Sequence, residues 1–97
     1  MNLKFFTDPG HGWLAVHADE LRQYNLINKV SKYSYMNLAS GHVYLEEDVD
    51  APMFMNRAKT PWVEIDTFAT DKDSVIRSFP RYEPEAVWNY VTPWIDA

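Results

Sequence analysis

The strongest constraint on the fold is that the apolar residues come in short runs separated by turn-forming residues. The first two runs, residues 3–6 and 13–16, are rich in aromatic and β-branched residues and flank the segment "DPGHGW". A Pro-Gly pair followed by a second glycine between two such runs is typical of a β-hairpin. We therefore predict a hairpin here, with His11 on its turn, because glycine tolerates the backbone angles that tight turns require.

The middle of the chain alternates between helix and strand patterns. Asp19 and Glu20 mark the N-terminus of a short helix, because negative charge is favoured there. Residues 33–46 contain tyrosines, a Ser-Gly turn and alternating apolar positions, and they predict a second hairpin. Asp50 is the expected N-cap of a second helix, since a proline and apolar residues at helical spacing follow it.

The last third of the chain predicts one more strand and further short helices. In "PWVEIDTF" the alternation predicts a fifth strand whose Val63 and Ile65 face is buried. Asp71 is expected to cap one or two helical turns, and a last helix is expected from Pro84 to Pro93. The elements together predict a single domain, 1–97, with an α+β fold: an antiparallel sheet of about five strands with short helices packed on one face.

Composition excludes several classes of function. The formal net charge of −5 disfavours direct nucleic-acid binding, because such binding depends on Lys and Arg displacing counterions from phosphates. The chain has no cysteine, which excludes disulfides and thiolate metal sites and fits a reducing cytoplasm. No stretch approaches the roughly 18 apolar residues of a membrane span or resembles a signal sequence. We therefore expect neither export nor contact with a membrane.

The segment "LEEDVD" is the densest group of charges and the main candidate for a binding site. Its acidic residues do not follow the spacing of a calcium-binding loop, and it contains no glycine. Acidic residues before a helix also have a structural explanation, because they interact with the helix dipole. As a functional site they would form an acidic docking edge for a basic partner. The candidate partner-binding residues are Glu46, Glu47, Asp48 and Asp50, with His11 and Trp13 at the hairpin tip as a second contact.

The motifs of common enzymes are missing. There is no HExxH pair, no GxSxG turn and no cysteine nucleophile, so we expect a protein without catalytic activity and without a cofactor. Two alternatives stay open. One is a small metal-dependent enzyme that uses Asp8, His11, His17 and His42, although zinc needs three or four converging ligands. The other is an acidic DNA mimic that inhibits a nucleic-acid-binding protein, although 14 acidic against 9 basic residues is a modest excess.

The chain has more large aromatic residues than so small a core can bury completely. Tyrosine and tryptophan are enriched at the energetically important positions of interfaces, so some of these residues are expected at a contact. A homodimer formed through the aromatic surface is equally consistent with this excess. The residues concerned are Trp13, Tyr33, Tyr35, Tyr44, Trp62, Trp88, Tyr90 and Trp94.

The stretches "TDPGHGWLAV", "KVSKYSY" and "VYLEEDVDAPMFMNRA" together resemble a group of small bacteriophage and prophage proteins. The resemblance covers about residues 5–58 and brings no catalytic activity with it. It implies a phage accessory protein that acts in the cytoplasm of the bacterial host. Combined with the features above, it favours a protein that binds a bacterial host protein, to inhibit a host defence system or to redirect host machinery.

Overall fold

The computed structural model describes residues 2–59 and 63–90. Its five strands are β1 (Asn2–Thr7), β2 (Gly12–His17), β3 (Tyr35–Asn37), β4 (His42–Glu46) and β5 (Glu64–Ala69). Its helices are α1 (Ala18–Gln23), α2 (Asp50–Ala58) and α3 (Pro84–Trp88), with short 3₁₀ helices at Ile27–Lys29 and Val75–Ser78. The predicted α+β fold is confirmed. Trp62, Pro93 and Trp94, to which sequence predictions refer, lie outside the described residues.

The strands form one sheet in the order β3-β4-β2-β1-β5. The pairings β1–β2, β2–β4 and β3–β4 are antiparallel, as predicted. The pairing of β1 with β5 is parallel, so the sheet is mixed. β1 and β4 run in the same direction, because both are antiparallel to β2. The connection from β4 to β5 contains α2, and a crossover of this length allows β5 to run parallel to both strands.

The main core lies between one face of this sheet and the helices. Strand residues alternate between the two faces, so one set of side chains points to the same side. From the sheet the core receives Leu3, Leu14, Val16, Val43 and Leu45, and from the helical segments Leu21, Ile27, Phe54 and Val87. The three α-helices therefore lie on one face of the sheet, as predicted.

A second, aromatic cluster covers part of the opposite face. Its buried residues are Trp13, Tyr35 and Ile76, and the partly buried Phe6, Tyr44 and Phe79 pack against them. Ile76 belongs to the 3₁₀ helix Val75–Ser78, which therefore lies across the sheet from the main helices. This helix is capped by Ser74, whose Oγ accepts the amide of Ile76 at 3.2 Å. The predicted cap at Asp71 is wrong.

The chain then passes around the β3 edge of the sheet. The amide of Met36 donates to the carbonyl of Pro80, and the amide of Tyr82 donates to the carbonyl of Ser34, both at 2.9 Å. On the helical face, the Tyr82 hydroxyl donates to the carbonyl of Ile27. These contacts satisfy backbone groups that an edge strand would otherwise leave open.

The opposite edge, β5, differs from the prediction. Every residue of β5 is exposed, and Ile65 retains 47% of its accessible surface. Val63, which precedes the strand, is partly buried against the core. The prediction that Val63 and Ile65 share a buried face is therefore wrong for Ile65. Ile65 is exposed because β5 is an edge strand, which has a neighbouring strand on one side only.

Asp50 organises the loop that leads into β3. It is 1% exposed, and its Oδ2 accepts the Ser31 amide at 3.0 Å, the Ser31 hydroxyl at 2.7 Å and the Ser34 hydroxyl at 2.6 Å. Asp50 is thus the first residue of α2 and does not cap it, which corrects the N-cap prediction. The carboxylate of Glu46 accepts the Asp50 amide instead, at 2.7 Å.

The substitution Asp50→Ala should lower the free energy of unfolding by about 3 kcal/mol, or the Tm by about 15 °C. The physical reason is that Ser31 and the buried Ser34 lose a charged acceptor. Urea denaturation followed by circular dichroism measures the change. Asp48→Ala, at an exposed position of the same acidic segment, is the control and should stay within about 0.5 kcal/mol of the parent. Equal losses in the two variants would contradict the assignment.

Candidate functional site

The "DPGHGW" segment forms the turn between β1 and β2, so the predicted hairpin is confirmed. The Asp8 amide donates to the His11 carbonyl at 2.9 Å and closes the turn. Asp8 Oδ1 accepts the amides of Gly10 at 3.0 Å and of His11 at 2.9 Å. Asp8 therefore shapes the turn with its side chain, as aspartate commonly does in such loops.

The same carboxylate connects the hairpin to the 3₁₀ helix Val75–Ser78. Asp8 Oδ2 accepts Arg77 Nε at 2.6 Å and the Ser74 amide at 3.0 Å, and Asp8 Oδ1 accepts a second Arg77 nitrogen at 2.9 Å. The Asp8 side chain is completely covered. The Arg77 guanidinium, with the surrounding amides, holds the pKa of Asp8 well below its usual range. The ion pair places Arg77 over the ring of Trp13, 5.3 Å from its centroid.

A cleft of about 540 Å³ opens beside this ion pair, on the aromatic face of the sheet. Four segments that are distant in sequence form it: the hairpin turn, residues 31–35, residues 46–49 and residues 77–81. Its aromatic lining is Trp13, Tyr33 and Tyr35. Its charged and polar lining consists of His11, Ser31, Glu46, Asp48, Arg77 and Arg81, and Val49 completes it. A volume in this range is typical of ligand sites.

The floor of the cleft is a layer of aromatic rings covered by guanidinium groups. Trp13 and Tyr35 contact edge to face, with 6.1 Å between ring centroids. Arg81 lies 4.5 Å from the centroid of Tyr35 and donates to the carbonyl of Tyr33 at 3.3 Å. Cation–π contacts of this kind orient both partners. The floor is therefore built before any ligand arrives.

The rim of the cleft exposes apolar surface. Tyr33 is 68% exposed and Val49 is 65% exposed, and both belong to the lining. Tyr33 follows a loop that Asp50 holds in place through Ser31. Exposed apolar groups beside a concave surface are a common feature of binding sites.

The four acidic candidates have three different roles. The carboxylate of Glu46 accepts the amides of Asp48 at 2.8 Å, Val49 at 2.6 Å and Asp50 at 2.7 Å, and so caps the start of α2. Asp50 is buried, and its inclusion in an exposed docking edge is wrong. Glu47 and Asp48 are exposed, and Asp48 lines the cleft.

The two hairpin candidates also differ from each other. His11 is exposed at the turn, and its ring lies 6.1 Å from that of Trp13. Trp13 is only 2% exposed, so it offers little surface at the hairpin tip. Its ring instead forms part of the cleft floor, because it points to the face that Ile76 and Arg77 cover. Both residues line the cleft.

The four residues of the metal-site alternative do not come together. Asp8 is paired with Arg77 and His11 lies at the turn, whereas His17 and His42 form a cross-strand pair at the other end of β2. The rings of His17 and His42 are 5.7 Å apart. Within residues 2–59 and 63–90, no group of three His, Cys, Asp or Glu side chains is arranged to hold a metal ion.

Sequence reasoning did not single out Arg77, Arg81 and Ser31 as site residues. Nothing in the local sequence marks them, because their partners in the site lie far away along the chain. Arg77 and its partner Asp8 are separated by 69 residues. The excess of aromatic residues was the signal that indicated a contact surface, and three of the residues named there, Trp13, Tyr33 and Tyr35, line the cleft.

Comparison of the chain with protein-family models, with curated proteins and with solved structures finds no match. In the part of the chain that the structure describes, no helix has the length and apolar character needed to span a membrane. The candidate site therefore rests on the geometry and chemistry of the cleft itself.

Replacing Asp8 by asparagine should lower the Tm, because the Arg77 ion pair and its charge are lost. The pKa of Asp8 is lowered by folding, so its stabilising effect is complete above the ordinary value of 3.8 and is lost as the pH falls below it. The Tm difference between parent and variant should be constant above about pH 5 and shrink towards pH 2.5. Thermal melts across this range measure it, with Asp66→Asn on the exposed β5 as control. A difference that does not change with pH would contradict the ion-pair assignment.

Acidification between pH 7 and pH 5 should destabilise the protein through His42. Burial, followed by the nearby His17, lowers the pKa of His42 from its ordinary value of 6.5. The unfolded chain then binds a proton at His42 more readily than the folded chain does. The contribution of His42 to stability is therefore complete above about pH 6.5 and is lost as the pH falls through the lowered pKa. Urea midpoints at several pH values test this. His42→Gln should weaken the dependence, and the same dependence in parent and variant would contradict the assignment to His42.

Proposed function

We propose that this chain is a non-enzymatic bacteriophage accessory protein that acts in the host cytoplasm by binding a bacterial host protein in the aromatic cleft. The expected consequence of binding is inhibition of a host defence system or redirection of host machinery. The observation that carries the proposal is the cleft itself, with a preformed aromatic floor and an exposed apolar rim.

The composition of the cleft supports a protein partner. Tryptophan, tyrosine and arginine are the residue types most enriched at the energetically dominant positions of protein interfaces. The cleft brings all three types together, and its rim exposes Tyr33 and Val49. A partner surface that covers the rim would remove this apolar area from water, which is favourable.

The state of the charged groups supports a binding role more than a catalytic one. A general acid or base needs a carboxylate that can reach a substrate. Both oxygens of Glu46 accept backbone amides, and Asp8 is covered and paired with Arg77. These carboxylates hold the walls of the cleft in place. The main task of Glu46 and Asp8 is therefore structural.

The resemblance to phage proteins supports the proposed phage origin of the chain. It covers residues 5–58, and three of the four segments that form the cleft fall within that range. The quoted stretches contain the hairpin turn, Tyr33 with Tyr35, and residues 46–49. The pattern that carries the resemblance is therefore largely the pattern that builds the cleft.

A photo-reactive amino acid at position 49 tests the proposal when the protein is expressed in bacteria. Position 75 is the matched control, because Val75 is 69% exposed and Val49 65%, but Val75 does not line the cleft. Position 49 should cross-link to one host protein and position 75 should not. Equal labelling from both positions, or no host protein at position 49, would contradict the proposal. A cross-link to a second copy of the chain would indicate a homodimer interface instead.

A pair of charge reversals then tests the contribution of the exposed acidic residues with the partner so identified. Replacing both Glu47 and Asp48 by lysine should weaken binding at least about fivefold, because rim charges steer and orient a partner. Lysine at both Glu64 and Asp66, on the exposed strand β5, changes the net charge equally and should have little effect. Equal losses in the two double variants would assign the effect to net charge alone. Asp50 is left unchanged, since its substitution would destabilise the fold.

A further inference from the structure

Besides Glu46, whose carboxylate accepts three backbone amides, two charged side chains line the cleft without an ion pair closer than 4.0 Å in the described part of the chain. They are Arg81 and Asp48. Within residues 2–59 and 63–90, the ion pairs closer than 4.0 Å join Asp19 to His17 and Arg22, and Asp8 to Arg77. Arg81 and Asp48 thus share a cleft but do not pair with each other.

The two charges are presented in different ways. Arg81 is fixed by its contact with the ring of Tyr35 and by its bond to the carbonyl of Tyr33. Asp48 is exposed on the loop that Glu46 fixes through three backbone amides. The Arg81 charge is therefore held by contacts of its own side chain, whereas the Asp48 carboxylate projects from a loop whose backbone Glu46 holds.

The charge pattern excludes some ligand types. A strongly anionic ligand would meet Arg81 but also Asp48 and the carboxylate of Glu46. A strongly basic ligand would meet Arg77 and Arg81, and these two guanidinium groups already cover the rings of Trp13 and Tyr35. Like charges in a partly enclosed site are unfavourable, so a ligand with charge of one sign only is a poor fit.

We infer that the cleft takes a peptide segment of the partner protein in which a large apolar side chain stands between a basic and an acidic residue. The acidic residue would pair with Arg81 and the basic residue with Asp48, while the apolar side chain would contact Tyr33 and Val49 over the aromatic floor. This inference rests on the proposed function and adds the chemistry of the segment that is bound.

The exposed rim favours a segment of a protein over a small molecule with the same two charges. Tyr33 and Val49 keep about two thirds of their accessible surface. A small zwitterion inside the cleft would leave most of this area in water. A peptide that belongs to a larger surface would cover the rim as well as the cleft.

The test uses four synthetic seven-residue peptides with glycine flanks and a central Lys-Trp-Glu, Glu-Trp-Lys, Lys-Trp-Lys or Glu-Trp-Glu. Each is titrated into the isotope-labelled full chain, and NMR reads the Trp13 indole N–H and the amides of residues 48 and 81. The better of the two mixed-charge peptides should bind about three- to fivefold more tightly than either like-charged peptide, which is the range of one exposed ion pair. Equal binding of all four peptides, or tightest binding of a like-charged one, would overturn the inference.

Reversing one charge of the cleft should change the preference, which simple loss of structure cannot do. In Asp48→Lys the Glu-Trp-Glu peptide should become the tightest ligand, and in Arg81→Glu the Lys-Trp-Lys peptide should. Lysine at Asp66 on β5 is the control and should keep the preference of the parent chain. An unchanged order in the two cleft variants would contradict the pairing.

The outcomes separate this inference from the proposed function. If no peptide shifts the cleft resonances at millimolar concentration but position 49 still cross-links to a host protein, the partner is real and the peptide chemistry is wrong. If the mixed-charge peptides bind but no host protein cross-links, the chemistry of the cleft stands and the proposed function fails.

Discussion

The ion pair between Asp8 and Arg77 is the interaction on which the candidate site depends. It joins the first hairpin to a 3₁₀ helix that lies 69 residues later, and it also fixes the hairpin turn through two backbone amides. Within residues 2–59 and 63–90, the hydrogen bonds of the Arg77 guanidinium over Trp13 go to Asp8. The low pKa of Asp8 indicates how strongly the folded chain favours the charged form. One carboxylate thus shapes a turn, anchors a helix and builds one wall of the cleft.

The second requirement of the site is the path of the chain after β5. Residues 70–79 cross the aromatic face of the sheet, and residues 80–82 pair with the β3 edge before α3 joins the main core. This path covers both faces of a small sheet. Because the covering segment is short, the aromatic face is only partly closed, and the gap beside Arg81 becomes the cleft.

The acidic segment shows why one residue type can have several roles. Glu46, Asp48 and Asp50 lie within five positions, yet one caps a helix, one is exposed and one is buried under serine donors. A count of negative charges could not distinguish them. The difference arises because β4 ends at Glu46 and α2 begins at Asp50, so the chain turns between them and each carboxylate faces a different environment. Burial of Asp50 is possible because Ser31 and Ser34 supply the hydrogen bonds that a buried charge requires.

Local sequence patterns determined the hairpins, the short helices, the number of strands and the helix-covered face, since these depend on alternation, turn residues and capping within a few positions. They also indicated a surplus of aromatic residues. Only the tertiary structure decided that β5 pairs in parallel, that Asp50 and Trp13 are buried, and that Arg77 and Arg81 stand over Trp13 and Tyr35. The physical reason is that these features depend on contacts between residues about 20 to 70 positions apart or on the order of strands in the sheet. Periodicity along the chain carries no information about such contacts.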